Sequence, residues 1–476
     1  MTKPPPLPDA IRASLPLEVQ AYLTAVEAYL EAVETRLAEL EARLKQNSHN
    51  SSRPPSSDPP STPPRPQKLS RSERKRGGQP GHPGRHRALK AVADVDEVVA
   101  HRPRLCPTCQ TCLPSDAVTV GEPVRQQVWD VPPIQPTVTE HQYLAVRCPC
   151  CNKLVRAERS VAVPPGAFGP RLTSLIGLLN GRYRLSKREV GDLVEAVFEV
   201  PISDGSVVNA CEQVSAALVE PYAEAQAVVA TAAHANVDET GWKEAGQRRW
   251  LWVAVTTLVS LFRLAATRRR AELSGLLGET YGGRITSVRF SAYAHLSPTR
   301  RQVCWAHLKR DLSALSQAPY RSGEWAERAL AVEGQVFALW HRFRNGQIDR
   351  VSLLVFMQPL RDQFKALLVE GLTMPWYRTR GFCAEVLKLE RALWTFVAVP
   401  GVEPTNNAAE RALRPAVLWR KAAFGSDSAD GLRFVERILT VTATCRQRSR
   451  PLLPFLTDAV SAHWAAQPAP SLFATA

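Results

Sequence analysis

His234-Ala-Asn-Val-Asp-Glu-Thr-Gly-Trp242 is the stretch on which the fold turns. From Ala233 to Asp238 apolar and polar side chains alternate, the pattern of a strand that delivers a carboxylate near its carboxyl end. Working outward, residues 248–257 (RRWLWVAVTT) and 258–268 (LVSLFRLAATR) read as a hairpin with a short turn. Residues 266–279 read as a helix, 284–290 (RITSVRF) as another strand, and 302–315 (QVCWAHLKRDLSAL) as a strand running into a helix. A mostly helical stretch, 312–400, separates these from TNNAAERALRP at 405–415, where Asn406, Glu410 and Arg414 share one helix face.

Three strands, a helix and two further strands, with acids on an early strand and a late helix, is the order of an α/β ribonuclease-H-like core carrying a helical insertion. At 476 residues the chain exceeds one ordinary domain. The expected parts are a coiled coil at 17–46, a disordered linker at 47–92, a zinc-binding ribbon at 93–160, a helical DNA-binding unit at 165–225, the core at 228–448 and a C-terminal tail at 449–476. Lys and Arg number 60 against 45 acids, a formal charge of +15, which points to a polyanionic partner, nucleic acid first. No apolar run is long enough to span a membrane and no secretory segment opens the chain; the expected location is cytoplasmic and DNA-associated. The ten cysteines then read as thiols and metal ligands, not a disulfide framework.

Val19, Leu23, Val26, Leu30, Val33, Leu37, Leu40 and Leu44 alternate steps of four and three, the seam of a coiled coil. With Leu23 at a, the e positions hold Glu27, Glu34 and Glu41 and the g positions Tyr29, Arg36 and Arg43. A parallel pairing sets Arg36 against Glu41 of a second copy, so a homo-oligomer is expected; an amphipathic helix docked on its own chain is the alternative. Ser48–Gln67 is rich in Pro and Ser and has the composition of an extended tether. Residues 65–90 hold nine Lys or Arg against Glu73 alone, which makes Arg74, Lys75 and Arg76 candidates for phosphate contact.

Cys106-Pro-Thr-Cys109 and Cys148-Pro-Cys-Cys151 are two C-x-x-C knuckles whose four thiolates would close a tetrahedral Zn2+ shell and stabilise the ribbon. Cys112 and Cys150 stand close enough to compete as ligands, and the segment between the knuckles alternates like short strands. Cys211, Cys304, Cys383 and Cys445 read as core. In 165–225, Ser186 and Glu189 form a capping-box pattern, and a helix restarts after Val200–Ile202 with Ser203 or Asp204 as its cap. Two helices so joined suit a helix-turn-helix with Lys187 and Arg188 near DNA, although any compact bundle gives the same pattern. Arg414, Arg420 and Lys421 are further phosphate candidates, a solvated helix face being the alternative, while Trp305 and His307 read as packing or hydrogen-bonding residues.

The chain resembles the transposases of the insertion sequence sixty-six family, bacterial enzymes of the DDE type. The resemblance rests on the zipper, NSSRPPSSD (50–58), GGQPGHPG (77–84), the cysteine knuckles, VDETGW (237–242), CWAHLKRD (304–311), TNNAAERALRP and WRKAAFGS (419–426). It implies a carboxylate triad made of the Asp of VDET, an Asp on a strand before a Tyr-containing turn, and the Glu of NNAAER. Carried over, these are Asp238, the position of Val288, and Glu410. The middle segment reads Ser287-Val-Arg-Phe-Ser-Ala-Tyr293 and has no acid. The resemblance further implies Mg2+ held by the triad for cleavage and transfer of DNA strands, element ends and target DNA as partners, and accessory proteins of the element. Three readings follow: a transposase weakened or inactivated at Val288, a catalytically dead DNA-binding and self-associating relic, and an unrelated ribonuclease-H-like nuclease. The last does not account for the zipper and tether.

Overall fold

A computed structural model describes residues 8–44, 47, 87–160, 163–318 and 321–474. Nearly all of the expected tether, with Arg74, Lys75 and Arg76, lies outside the described residues. The chain forms two compact units, Pro64–Pro136 and Met1–Pro63 with Thr137–Ala476.

In the first unit the chain reverses at Cys106. The Cys106 amide donates to Thr111 O (3.0 Å) and the Gln110 amide to Cys106 O (2.9 Å), with Gln110 in the left-handed region at φ 58°. Trp129 lies under two cations, with Arg87 4.7 Å and Lys90 4.5 Å from its ring centre. Of the strands expected between the knuckles one forms, at Ala145–Arg147, and the described residues 113–144 hold none. Pro114, Pro123, Pro132, Pro133 and Pro136 each lack the N–H that a ladder needs.

The second unit opens with α1 (Asp9–Ala13) and α2 (Leu17–Leu44). Arg12 ties the two helices by donating to Glu27 Oε2 at 2.6 Å. The α2 seam residues Leu30, Val33, Leu37 and Leu40 are exposed. Next, β1 (Ala145–Arg147) and β2 (Leu154–Arg156) pair antiparallel around the second knuckle. That knuckle repeats the first: the Cys148 amide donates to Lys153 O (2.8 Å), the Asn152 amide to Cys148 O (2.9 Å), and Asn152 takes φ 57°.

Helices α3 (Pro170–Gly181), α4 (Lys187–Phe198), α5 (Asp204–Ala217) and α6 (Val219–Ala230) follow. The capping box at Ser186 and Glu189 is formed, and Ser203 caps α5. The sheet comprises β3 (His234–Glu244), β4 (Gln247–Val255), β5 (Ser260–Ala265), β6 (Arg284–Ser287) and β7 (Arg301–Val303), with α7 (Arg270–Leu277) before β6. Its order is β5-β4-β3-β6-β7; β3, β4 and β5 are antiparallel, and β6 and β7 run parallel to β3. The β3–β4 turn places Ala245 and Gly246 both at positive φ, the geometry of a tight hairpin.

Helix α8 (Trp305–Leu315) leaves β7 and leads into α9 (Arg321–Arg344), α10 (Arg350–Gly371), α11 (Tyr377–Lys388), α12 (Glu390–Leu393) and α13 (Thr395–Ala398). This helical stretch has its own core around Trp305, Trp325, Trp340, Phe364 and Phe396. The chain then returns through α14 (Asn407–Ala423), α15 (Ala429–Gln447) and α16 (Leu452–Trp464).

Two expectations change here. The part of the expected C-terminal tail that is described, residues 449–474, is packed: α16 lies on α3 and α5, and Leu472 is fully buried while its amide donates to Glu224 Oε2 at 2.8 Å. The apolar face of α16 carries Phe455, Leu456, Ala459 and Val460, enough to hold the segment down. Likewise α4 and α5, the pair expected as a helix-turn-helix, share one hydrophobic core with α15, α16 and the sheet. Helix α5 has no Lys or Arg, and its exposed positions are Asp204, Gly205, Val208, Asn209 and Glu212, a poor match to phosphate.

Candidate active site

Strand register builds the site. The parallel pairs His234–Arg284, Ala235–Ile285 and Asn236–Thr286 stop one residue before β6 ends, and the same register extended two residues further aligns Val288 with Asp238. On the other side Ile285–Arg301, Thr286–Gln302 and Ser287–Val303 lead, one step on, to Val288 beside Cys304. Asp238, Val288 and Cys304 thus form a row where the parallel half of the sheet stops, the place where α/β sheets put their chemistry. Contrary to the expected short strand, β3 continues past Asp238 to Glu244 because β4 keeps pairing with it.

Helix α14 packs along β3 and brings Glu410 to this row. Asn406 fixes the approach and is itself fully buried. Its Nδ2 donates to Val237 O (2.8 Å), its Oδ1 accepts from Asn236 Nδ2 (3.1 Å), and its amide donates to Cys304 Sγ (3.1 Å). Farther along, Arg420 donates to Gly241 O and to Thr240 Oγ1 (3.3 Å). The loop after α14 joins the hairpin, with the Ser426 amide donating to Lys243 O (2.9 Å). Gly425 permits this: at φ 137°, a Cβ there would come within 2.5 Å of Lys243 O.

The backbone at Val288 is held firmly. Buried Arg301 donates to Val288 O (2.6 Å), Ser287 Oγ (3.1 Å) and Tyr293 O (3.1 Å). The Val288 side chain packs against the main core. Glu239, next to Asp238, points to the opposite face, as alternation requires. There it accepts from Arg268 Nε (2.8 Å) and from the Tyr293 hydroxyl (2.5 Å). Desolvation, the Glu239 charge and this hydrogen bond push the Tyr293 phenol well above its ordinary value, so it stays a neutral donor.

Burial, then the Glu239 charge, with a smaller contribution from Glu410, push the Asp238 carboxyl up to about 8. The Glu410 charge thus acts on the Asp238 carboxyl. Glu410 Oε1 is buried without a hydrogen-bond partner. It lies 3.5 Å from His307 Nδ1 and 3.8 Å from Arg310 Nη2. Burial, aided by Arg310 and Arg289, lowers His307 to about 3, leaving a neutral imidazole. His307 Nδ1 is also 3.3 Å from Cys304 Sγ.

The raised Asp238 pKa has a measurable consequence. Between its ordinary value near 4 and about 8, the native carboxyl keeps a proton that the unfolded chain has released. Stability of the magnesium-free protein should therefore fall as pH rises through this window and level off above it. Replacing Asp238 by Asn should remove a loss on the order of 3 kcal/mol. Urea unfolding of both proteins at pH 5 and pH 9 reads the difference; parallel pH profiles would contradict the assignment.

Other expected site residues are placed as follows. Arg188, Arg414 and Lys421 are exposed. Lys187 turns inward, donating to Asn180 Oδ1 (2.9 Å) and Cys211 Sγ (3.3 Å) with its ammonium 5.6 Å from the Phe434 ring centre. Trp305 is fully buried and donates to Leu393 O at 2.8 Å. Hydrogen bonds from the Thr111 hydroxyl and amide lower the Cys109 thiol to about 7, and the Cys151 and Cys150 amides lower Cys148. Donors aimed at sulfur and matching turns at both C-x-x-C pairs fit zinc thiolates. Asn406 stood out only by sharing a helix face with Glu410, and Arg301 carried no sequence signal, since the bonds of Asn406 to Asn236, Val237 and Cys304 span more than 100 positions and those of Arg301 cross from β7 to the end of β6.

The chain thus sets two C-x-x-C thiol knuckles ahead of a mixed five-stranded sheet whose central strand carries a buried carboxylate. The family model described as "Transposase IS66 family" matches residues 166–433, and that for the zinc-finger binding domain of transposase IS66 matches 103–152. A third, a family of unknown function, matches 3–88. The chain belongs to the IS66 transposase family. Structural zinc and DNA binding follow from these domains. No curated protein matches the chain. Among the described residues no helix is long and apolar enough to cross a membrane.

Proposed function

We propose that this chain is a DNA transposase with a ribonuclease-H-like core, in which Asp238 and Glu410 are the remaining metal ligands and Val288 deprives the site of its third carboxylate. The observation that supports the reading is the register of β3 and β6, which, carried two residues past Asn236–Thr286, aligns Val288 with Asp238, while the Glu410 charge acts on Asp238. Asp238 and the partnerless Glu410 Oε1 suit one divalent ion. They do not suit a pair of ions, because valine offers no oxygen to a second. Magnesium bound here would supply Lewis-acid stabilisation of a phosphodiester under attack. The chain's own part is to hold the two carboxylates apart on a strand and a helix, with Asn406 locking their spacing. Strand cleavage and transfer are then severely reduced or absent, and the protein acts chiefly as a self-associating binder of element ends. The test is magnesium-dependent cleavage of element-end DNA by the native protein beside Val288→Asp.

Self-association belongs to the same reading. The exposed α2 seam, Leu30, Val33, Leu37 and Leu40, fits a second copy in a coiled coil. Sedimentation of the full chain should give an oligomer, and Leu30→Asp with Leu37→Asp should give monomers with unchanged zinc content. A monomeric native protein at micromolar concentration would refute the coil. Exposed Arg188, Arg414 and Lys421 are the proposed phosphate contacts on the described part of the chain. Arg74, Lys75 and Arg76 are proposed contacts on the linker.

A further inference from the structure

Cys304, His307 and Glu410 each present one donor atom, and all three lie within 4.8 Å of one another. Cys304 and His307 stand in C-x-x-H spacing at the start of α8, and Glu410 arrives from α14. His307 Nδ1 is 3.3 Å from Cys304 Sγ and 3.5 Å from Glu410 Oε1. A tetrahedral zinc ion with sulfur at about 2.3 Å and nitrogen or oxygen at about 2.0 Å sets neighbouring donors roughly 3.3–3.5 Å apart. The two edges from His307 Nδ1 match those of a tetrahedron, and the third, from Cys304 Sγ to the Glu410 carboxylate, is within 4.8 Å.

Two further features point to an ion. Glu410 Oε1 is buried with no hydrogen-bond partner, and Arg310, the nearest cation to it, stops at 3.8 Å. The Asn406 amide donates to Cys304 Sγ at 3.1 Å, the outer-shell contact that steadies a metal thiolate. Sulfur, imidazole and carboxylate together select zinc over magnesium. We propose that Cys304, His307 and Glu410 form a second zinc site of this chain, separate from the cysteine knuckles, at the edge of the cleft lined by Asp238 and Val288. The site binds Zn2+ through three protein ligands and leaves a fourth position open. Since it takes Glu410, zinc bound there competes with magnesium for the same carboxylate. The proposal rests on the preceding reading only for the role of Glu410 in that cleft.

The experiment uses the full chain equilibrated with micromolar zinc and desalted. Native protein should carry about two zinc ions per chain, and X-ray absorption should give an average of about 2.5 sulfurs per zinc, four at the knuckles and one at Cys304. Cys304→Ser and His307→Gln should each fall to about one zinc with about four sulfurs. Cys106→Ser with Cys109→Ser should retain about one zinc, bound by a single sulfur. About one zinc with four sulfurs in the native protein would overturn the proposal, and this readout needs no variant to fold. Unchanged zinc content in folded Cys304→Ser would overturn it as well. Failure here leaves the cleavage behaviour of Val288→Asp untouched, so the two readings fail separately.

Discussion

Val288→Asp is expected to raise magnesium-dependent cleavage of element-end DNA at least about a hundredfold over the native protein. The backbone is already in place for it. Arg301 holds Val288 O at 2.6 Å, the Cys304 amide donates to Ser287 O at 3.0 Å, and the strand register sets the side chain next to Asp238. Aspartate is close to valine in size, so little must move. The half-buried Val288 loses apolar contact of about 1 kcal/mol. A third carboxylate beside Asp238 and Glu410 also adds repulsion in the absence of metal. The variant should therefore unfold more easily than the native protein without magnesium and recover when magnesium is added. Equal cleavage by both proteins would mean that Val288 is no defect. No cleavage by either would refute the claim that one missing ligand explains the loss.

The sequence made the acids legible and much of their support illegible. Asp238 and Glu410 announce themselves because VDETGW and NNAAER are local patterns, and the strand–helix order around them follows from periodicity. The knuckles are equally local: two thiols three residues apart need only one turn. Asn406 gives no comparable sign that it binds Val237 O and Cys304 Sγ, residues more than 100 positions away. Cys304 and His307 read as packing for the same reason, since their meeting with Glu410 depends on α14 returning after the helical insertion. The helix-turn-helix reading of α4 and α5 came from helix spacing alone. Such spacing cannot tell a groove-seeking helix from one buried against α15 and α16, whereas the absence of any cation on α5 could have. The expected tail was judged by its position at the chain end, although its apolar face was visible in the sequence.

Glu239 shows how the second acid of VDETGW serves the first, and it should dominate local stability. Its side chain is fully buried, and its charge is matched by Arg268, whose guanidinium donates twice to Oε1 and stacks 3.8 Å from the Phe290 ring centre. Arg268→Met should destabilise the protein by about 3–4 kcal/mol, because it strands a buried carboxylate. Tyr293→Phe removes one donor of several and should cost about 1–2 kcal/mol. Glu239→Gln in the Arg268→Met background should regain much of the loss, as the stranded charge disappears. Chemical unfolding of the native protein, Arg268→Met, Glu239→Gln and the double variant forms a cycle, and simple additivity between positions 239 and 268 would contradict the pair. The same substitution bears on the cleft. The Glu239 charge is second only to burial in raising Asp238, so Glu239→Gln should shift the alkaline end of the Asp238-dependent stability loss to lower pH. Burial is the larger cause of the raised proton affinity of Asp238, and the Glu239 charge on the other face of β3 adds to it while Arg268 opposes it.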